Sequence, residues 1–355
     1  MKTDRRRWLG WAFGAVVLAL ILLHVSRSAQ WRNFEWSRLG SLLIHVKLEL
    51  LLLAVVLSYA TYFVRAYRWK FFVDPIKKCS PWVLFNAQVL GFSSIYLIGR
   101  AGEIVRPAYI AKAETLPFTS QLAVWVVERI YDCLALVVVF ALALYFEPLH
   151  ASTPHRAALL HELHEGAVVI LILSGAAVAC LAVYRIYSDR LITRLDGVFQ
   201  SAPAKFRSRF SGFLRSFSSG LDVIQDPWDF SVTVALTVLL WTINVTIIWL
   251  TIRSVGGRLA GLSWWEAALT TFFCALGLVI QLPGVGGGFQ VAVLLALKDI
   301  FHIPAEGAAS AAILTWVAVM LPCLILGLIL VIAGGLSFRK LRLIVEEEEN
   351  HAAAP

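Results

Sequence analysis

Apolar residues run along this chain in long blocks, without the strict alternation of a half-buried strand or the one-sided stripe of a soluble helix. Six blocks, roughly 8–25, 42–64, 118–146, 166–187, 229–252 and 306–336, reach or approach the ~20 residues that cross a bilayer as a helix. Two shorter blocks, 82–98 and 265–282, each run into a loop rich in glycine with proline, and only a brief apolar return follows. The pattern predicts an all-α integral membrane protein. It has about six spanning helices plus two re-entrant helical hairpins. Composition agrees, since 59% of the 355 residues are hydrophobic and only 15% are charged. A soluble domain of this length could not hide so much apolar surface.

Charge sets the expected orientation. The net charge of +8 is compatible with nucleic-acid binding, but a membrane gives the simpler account, because basic residues collect in cytoplasmic loops. If the two short blocks dip and return, 19 Lys and Arg face the cytoplasm and 6 face outward. If both crossed, the segment 185–228 would carry its seven basic residues outside, against that rule. Both termini are therefore expected in the cytoplasm. The expected organisation is an N-terminal helix and outer loop over 1–40, a membrane domain over 41–336 and a solvated acidic tail over 337–355. Arg5, Arg6 and Arg7 precede the first block as they would in a signal peptide, but the block is long and no small-x-small site follows, so it reads as a retained helix.

Several local patterns add less. The basic and aromatic residues from Lys205 to Phe217 predict a helix lying on anionic lipid. His150, His155, His161 and His164 do not match a zinc spacing, and no metal or other cofactor is expected. Cys133, Cys180, Cys274 and Cys323 fall in apolar blocks and read as buried small residues, not as a disulfide framework.

The two short blocks resemble each other. The first gives Trp82, a short helix, Gly99 to Glu103, a return, Pro117 and a long helix. The second gives Trp264 and Trp265, a short helix, Pro283 to Gly288, a return, Pro304 and a long helix. Repeat one covers about 41–146 and repeat two about 229–336. In the topology above they enter from opposite sides, so the expected arrangement is an inverted repeat, in which broken helices near the midplane mark a binding site.

Charges cluster around the first break. Arg100, Glu103 and Arg106 follow an i, i+3, i+6 spacing, so in a helix Glu103 neighbours both arginines and one positive charge is left over. Guanidinium groups bind phosphate oxygens in pairs, which points to an anion site; a snorkelling cluster near lipid headgroups is the alternative. Glu128, Arg129 and Asp132 lie 10 to 14 residues into the next block, near mid-bilayer at 1.5 Å per residue. They must face the protein interior, either docking the helix against Arg100 or Arg106 or serving transport directly. The second break has Gly284, Gly286 and Gly287 with Gln281 and Gln290 on either side. Its backbone N–H groups can face a ligand, or its glycines only make a tight turn.

The motifs GRAGEIVRP, VVERIYD and LPGVGGGFQ, in that order, resemble the lysylphosphatidylglycerol synthase transmembrane family, also called flippase-like, over roughly residues 40–336. The resemblance implies a stand-alone flippase-like domain in a bacterial cytoplasmic membrane, without an aminoacyl-transfer domain and without enzyme activity. Gln290 stands where many relatives carry glutamate after the phenylalanine, which argues against a lysyl lipid as substrate. The expected function is translocation of an anionic phospholipid, a glycolipid or a polyprenyl-type lipid through a polar midplane cavity. The expected substrate-binding residues are Arg100, Glu103, Arg106, Glu128, Arg129, Asp132, Gln281, Gly284, Gly286, Gly287 and Gln290. The expected partners are the membrane lipid, anionic lipid at the basic loop and a lipid-modifying enzyme, with no nucleic acid. The alternatives are a non-transporting scaffold for such an enzyme and a polyprenyl-phosphate-dependent glycosyltransferase.

Overall fold

Among the described residues, helices occupy the apolar blocks, and their ends follow local chemistry. The computed structural model describes residues 34–146, 210–215, 218, 227–278, 281–282 and 286–333, with scattered helical positions between 165 and 194. The expected first span, the histidine loop, most of the basic block and the acidic tail lie outside the described residues, and the span at 166–187 is described only in part.

In chain order the elements begin with α1 (Trp36–Ile44), α2 (Leu48–Val73), α3 (Pro81–Ile98), a 3-10 turn (Gly99–Ile104), α4 (Val105–Glu114) and α5 (Phe118–Phe146). After the partly described region come α6 (Pro227–Ser254) and α7 (Trp264–Gly277). A two-residue antiparallel ladder then pairs β1 (Gln281–Leu282) with β2 (Gly286–Gly287). The order closes with α8 (Gly288–Leu295), a π turn (Ala296–Ile300) and α9 (Ala305–Ala333). Apart from that ladder, the described residues are helical or irregular. Among the described residues, four helices, α2, α5, α6 and α9, are long and apolar enough to cross a membrane.

The caps explain several boundaries. Pro81 opens α3 at its first position, where its missing N–H costs nothing. A capping box opens α7: Ser263 Oγ accepts from Glu266 N at 3.1 Å, and Glu266 Oε2 accepts from Ser263 N at 2.8 Å. Both helix breaks contain a glycine in the left-handed region, Gly99 at φ +75° and Gly287 at φ +68°.

One expected boundary was wrong. The sequence predicts a span over 42–64, with the basic residues of 65–81 in a cytoplasmic loop. Instead α1 ends at Ile44, and α2 continues unbroken to Val73. The helical period persists past Arg65, with Ala66, Trp69, Phe72 and Val73 turned into the core. Arg65 and Arg68 are therefore helix residues, and Arg68 is 0% exposed.

The two halves share an order: a long helix, a short one, a break, a short return and a second long helix. Helices α2 and α6 run antiparallel. Lys47 N donates to Ser254 O at 2.8 Å near one end, and Arg68 Nη1 donates to Thr237 Oγ1 at 2.9 Å further along. Helix α7 runs antiparallel to α5, with Phe272 stacked on Phe140 at 3.9 Å and Trp265 on Phe146 at 4.7 Å. Helix α3 runs antiparallel to α9, where Ser93 Oγ donates to Cys323 O at 2.9 Å and Leu90 packs with Val331. So the short helix of each half lies on the closing helix of the other. The two breaks also meet, with Cα atoms of β1 within 8 Å of the 3-10 turn.

The cysteines split. Cys79, Cys274 and Cys323 are buried, whereas Cys133 and Cys180 are exposed. An apolar block is not always a buried one, because in a spanning helix the outward face meets acyl chains and tolerates the same residues.

Candidate functional site

The site grows from one close crossing. Helix α4 folds back onto α3 so tightly that a Cβ on Gly91 would lie 2.7 Å from the Arg106 Cβ. Only glycine lets the two backbones approach so closely, and the approach aims Arg106 inward. Its guanidinium lies 4.2 Å from the centre of the Trp69 ring, a distance at which the ring face attracts the cation. Arg106 Nη1 donates to Gln88 Oε1 at 2.7 Å and to Glu128 Oε1 at 3.3 Å, and Nη2 donates to Glu128 Oε2.

Glu128 is 0% exposed and is the hub. Arg68 reaches it from α2, Nη2 donating to Oε1 at 2.9 Å. The other Arg68 terminal nitrogen donates to Asp132 Oδ1 at 2.8 Å, so one planar guanidinium bridges both carboxylates. Arg129 Nη2 lies 3.1 Å from Glu128 Oε2 and 3.1 Å from Asp132 Oδ2. Arg65 Nη1 is 3.9 Å from Asp132 Oδ2. One turn of α5 thus gathers guanidinium groups from α2 and α4 as well as its own.

The cluster is rich in donors and in positive charge. Four guanidinium groups face the carboxylates of Glu128 and Asp132, with the Glu103 carboxylate lining the adjoining recess. One positive charge exceeds the negative ones even with Glu103 counted. Arg68 Nε, Arg129 Nε and Gln88 Nε2 are buried without an acceptor among the described residues. Buried donors of this kind are costly to leave unmade, so the cluster favours an added acceptor of negative charge. The recess, between Phe92, Glu103, Arg106, Trp125 and Arg129, has a free volume of about 20 Å³. That is room for about one water. The guanidinium groups are thus closed onto protein carboxylates.

Of the residues expected from sequence, the structure brings Arg106, Glu128, Arg129 and Asp132 into one network and sets Glu103 at its recess. Arg129 and Asp132, three residues apart, pair across one turn of α5. Gln281, Gly286 and Gly287 sit on the ladder, and Gln290 in the first turn of α8. They approach the network through the 3-10 turn that β1 touches. Gly284 and the Arg100 side chain lie outside the described residues. Arg65, Arg68, Gln88 and Thr237 were missed. The available signal was the helical period continuing through Arg65 and Arg68, which an apolar block that stops at a charge conceals.

Four membrane-length apolar helices around a buried ionic cluster define a multi-pass integral membrane protein. The match to the lysylphosphatidylglycerol synthase TM region covers residues 7–327, and the chain belongs to that family. Comparison with curated proteins gives no match.

Proposed function

We propose that the protein is a lipid translocase, moving an anionic phospholipid, a glycolipid or a polyprenyl-type lipid between leaflets. It acts by binding and moving the lipid and not by changing its covalent bonds. The observation that carries this reading is the surplus of guanidinium groups, four against three carboxylates, in a largely buried cluster beside the first break. A charge buried at membrane depth is retained when it serves a path or a partner. The family supports the reading, being associated with lipid modification and translocation. The antiparallel pairing of α2 with α6, and the exchange of short helices between halves, fit an inverted repeat of two re-entrant hairpins. In that scheme both termini are cytoplasmic, in a bacterial inner membrane. Arg106 and Arg129, with Arg100, take the anionic headgroup, while Glu103, Glu128 and Asp132 hold them when the site is unloaded. The residues of the second break, Gln281, Gly284, Gly286, Gly287 and Gln290, line the path from the other side.

The test is a leaflet-resolved assay with purified protein in liposomes carrying fluorescent phosphatidylglycerol, a glycolipid or a polyprenyl phosphate. Wild type is expected to move at least one of them, and Arg106→Gln and Glu128→Gln are expected to stop it. Movement of none, or equal movement by both variants, sinks the reading.

A further inference from the structure

A second space adjoins the ionic cluster. Between α5 and α6 runs a groove of about 530 Å³, lined by Leu134, Val138, Leu142, Val234, Val238 and Trp241, with Trp264 and Trp265 bordering it. Its walls are almost wholly apolar. Thr237 also lines it, and this hydroxyl accepts from Arg68. The groove therefore backs onto the ionic cluster through Thr237.

We infer that this groove seats one hydrocarbon chain of an anionic lipid whose oxygen-bearing head lies toward Thr237 and the arginines of the cluster behind it. The assignment rests on the translocase reading and adds where the tail goes. Two observations select this occupant. The cluster behind Thr237 holds four guanidinium groups against three carboxylates, which complements an anionic head. The wall also holds a polar group that a plain hydrocarbon would not satisfy: Trp241 Nε1 is buried with no acceptor among the described residues. A buried indole N–H normally finds a partner, and an ester or phosphate oxygen supplies one. An apolar chain fills the rest by burying its methylene groups against leucine, valine and tryptophan.

The experiment uses the full chain in phosphatidylcholine vesicles containing a minor fraction of phosphatidylglycerol with a diazirine at the end of one acyl chain. After irradiation, adducts are mapped by mass spectrometry. They should concentrate on Val138, Leu142 and Val238. Ala135→Trp, which fills the groove, should lower them about tenfold. Trp241→Phe keeps the ring but removes the donor, and should lower them by up to about tenfold, the effect of one unmade hydrogen bond. Equal labelling of groove positions and of Ile325 and Leu328, exposed on α9, overturns the assignment. So does equal labelling by the same diazirine on phosphatidylcholine. A ready disulfide between Leu142→Cys and a cysteine placed within residues 8–25 would show that the chain's own first apolar block occupies the groove, and overturns it too. Groove labelling without transport in the leaflet assay removes the translocase reading and leaves the binding site; transport with uniform labelling does the reverse.

Discussion

Arg68 and Arg106 hold one carboxylate between them. Arg68 binds Glu128 Oε1 at 2.9 Å from α2, and Arg106 binds Oε2 from α4. Removing that carboxylate leaves two buried guanidinium groups facing each other's field. Glu128→Gln should therefore destabilise the fold by about 3–5 kcal/mol, the cost of breaking a buried pair from one side. Thermal unfolding in detergent measures it. Arg106→Gln added to Glu128→Gln should recover part of the loss, and no recovery would mean that the two residues do not couple.

Gly91 is where α4 meets α3. Alanine there forces a Cβ to within 2.7 Å of Arg106 Cβ, an atom fixed to the backbone. Gly91→Ala should cost about 1–3 kcal/mol through overpacking. Transport should fall further than stability, because the same shift pulls Arg106 away from Glu128. Melting temperature and leaflet assay, measured on one preparation, separate the two effects.

Arg68 bridges Glu128, Asp132 and Thr237, with separate nitrogens for the two carboxylates. A lysine ammonium is a point donor and cannot span both carboxylates in that planar fork. Arg68→Lys should unfold more easily than wild type, despite keeping its charge. A Lys variant as stable as wild type would show that charge alone suffices there.

Cys79 lies between α2 and α3, outside the spanning helices. Burial, and next the Glu114 carboxylate, push its thiol up to about 11. The neutral thiol is favoured, so at pH 8 about one thiol in a thousand is thiolate. With Cys79 as the sole cysteine, maleimide labelling should be slow at pH 7 and accelerate as pH rises toward 11. Glu114→Gln removes a negative neighbour, lowers the pKa and should speed labelling at pH 8.

Lys112 on α4 and Arg258 before α7 are exposed and fall on opposite sides of the membrane in the proposed topology. In intact cells, a membrane-impermeant thiol reagent should modify Arg258→Cys and spare Lys112→Cys. The opposite pattern would reverse the orientation.

Much of this architecture was legible in the sequence. The expected block 118–146 and α5 share both ends, because Pro117 marks its start. The breaks at Gly99 and around Gly286–Gly288 were visible as glycine where helix should continue. Arg106, Glu128, Arg129 and Asp132 stood out because charges inside apolar blocks are rare. Arg68 was hidden for the same reason: a charge at the end of an apolar run reads as its exit to water, unless the carboxylates awaiting it, 60 and 64 residues on, are already in place. Gln88 and Thr237 are neutral and carry no signal without that geometry. The contact of α3 with α9 joins residues 230 apart, and no local pattern encodes it.

The two halves share their element order but not their chemistry: the first break carries arginine and glutamate, and the second glutamine and glycine. Translocation through an inverted repeat would have the halves trade conformations, turning the opening from one leaflet to the other. Chemically identical halves would make the two end states mirror images of equal energy. Here the Arg106–Glu128–Arg68 clamp lies wholly in the first half, on α4, α5 and α2. On the translocase reading the two end states therefore differ in energy, and a lipid phosphate that competes with Glu128 for Arg106 would act as the trigger that opens the clamp.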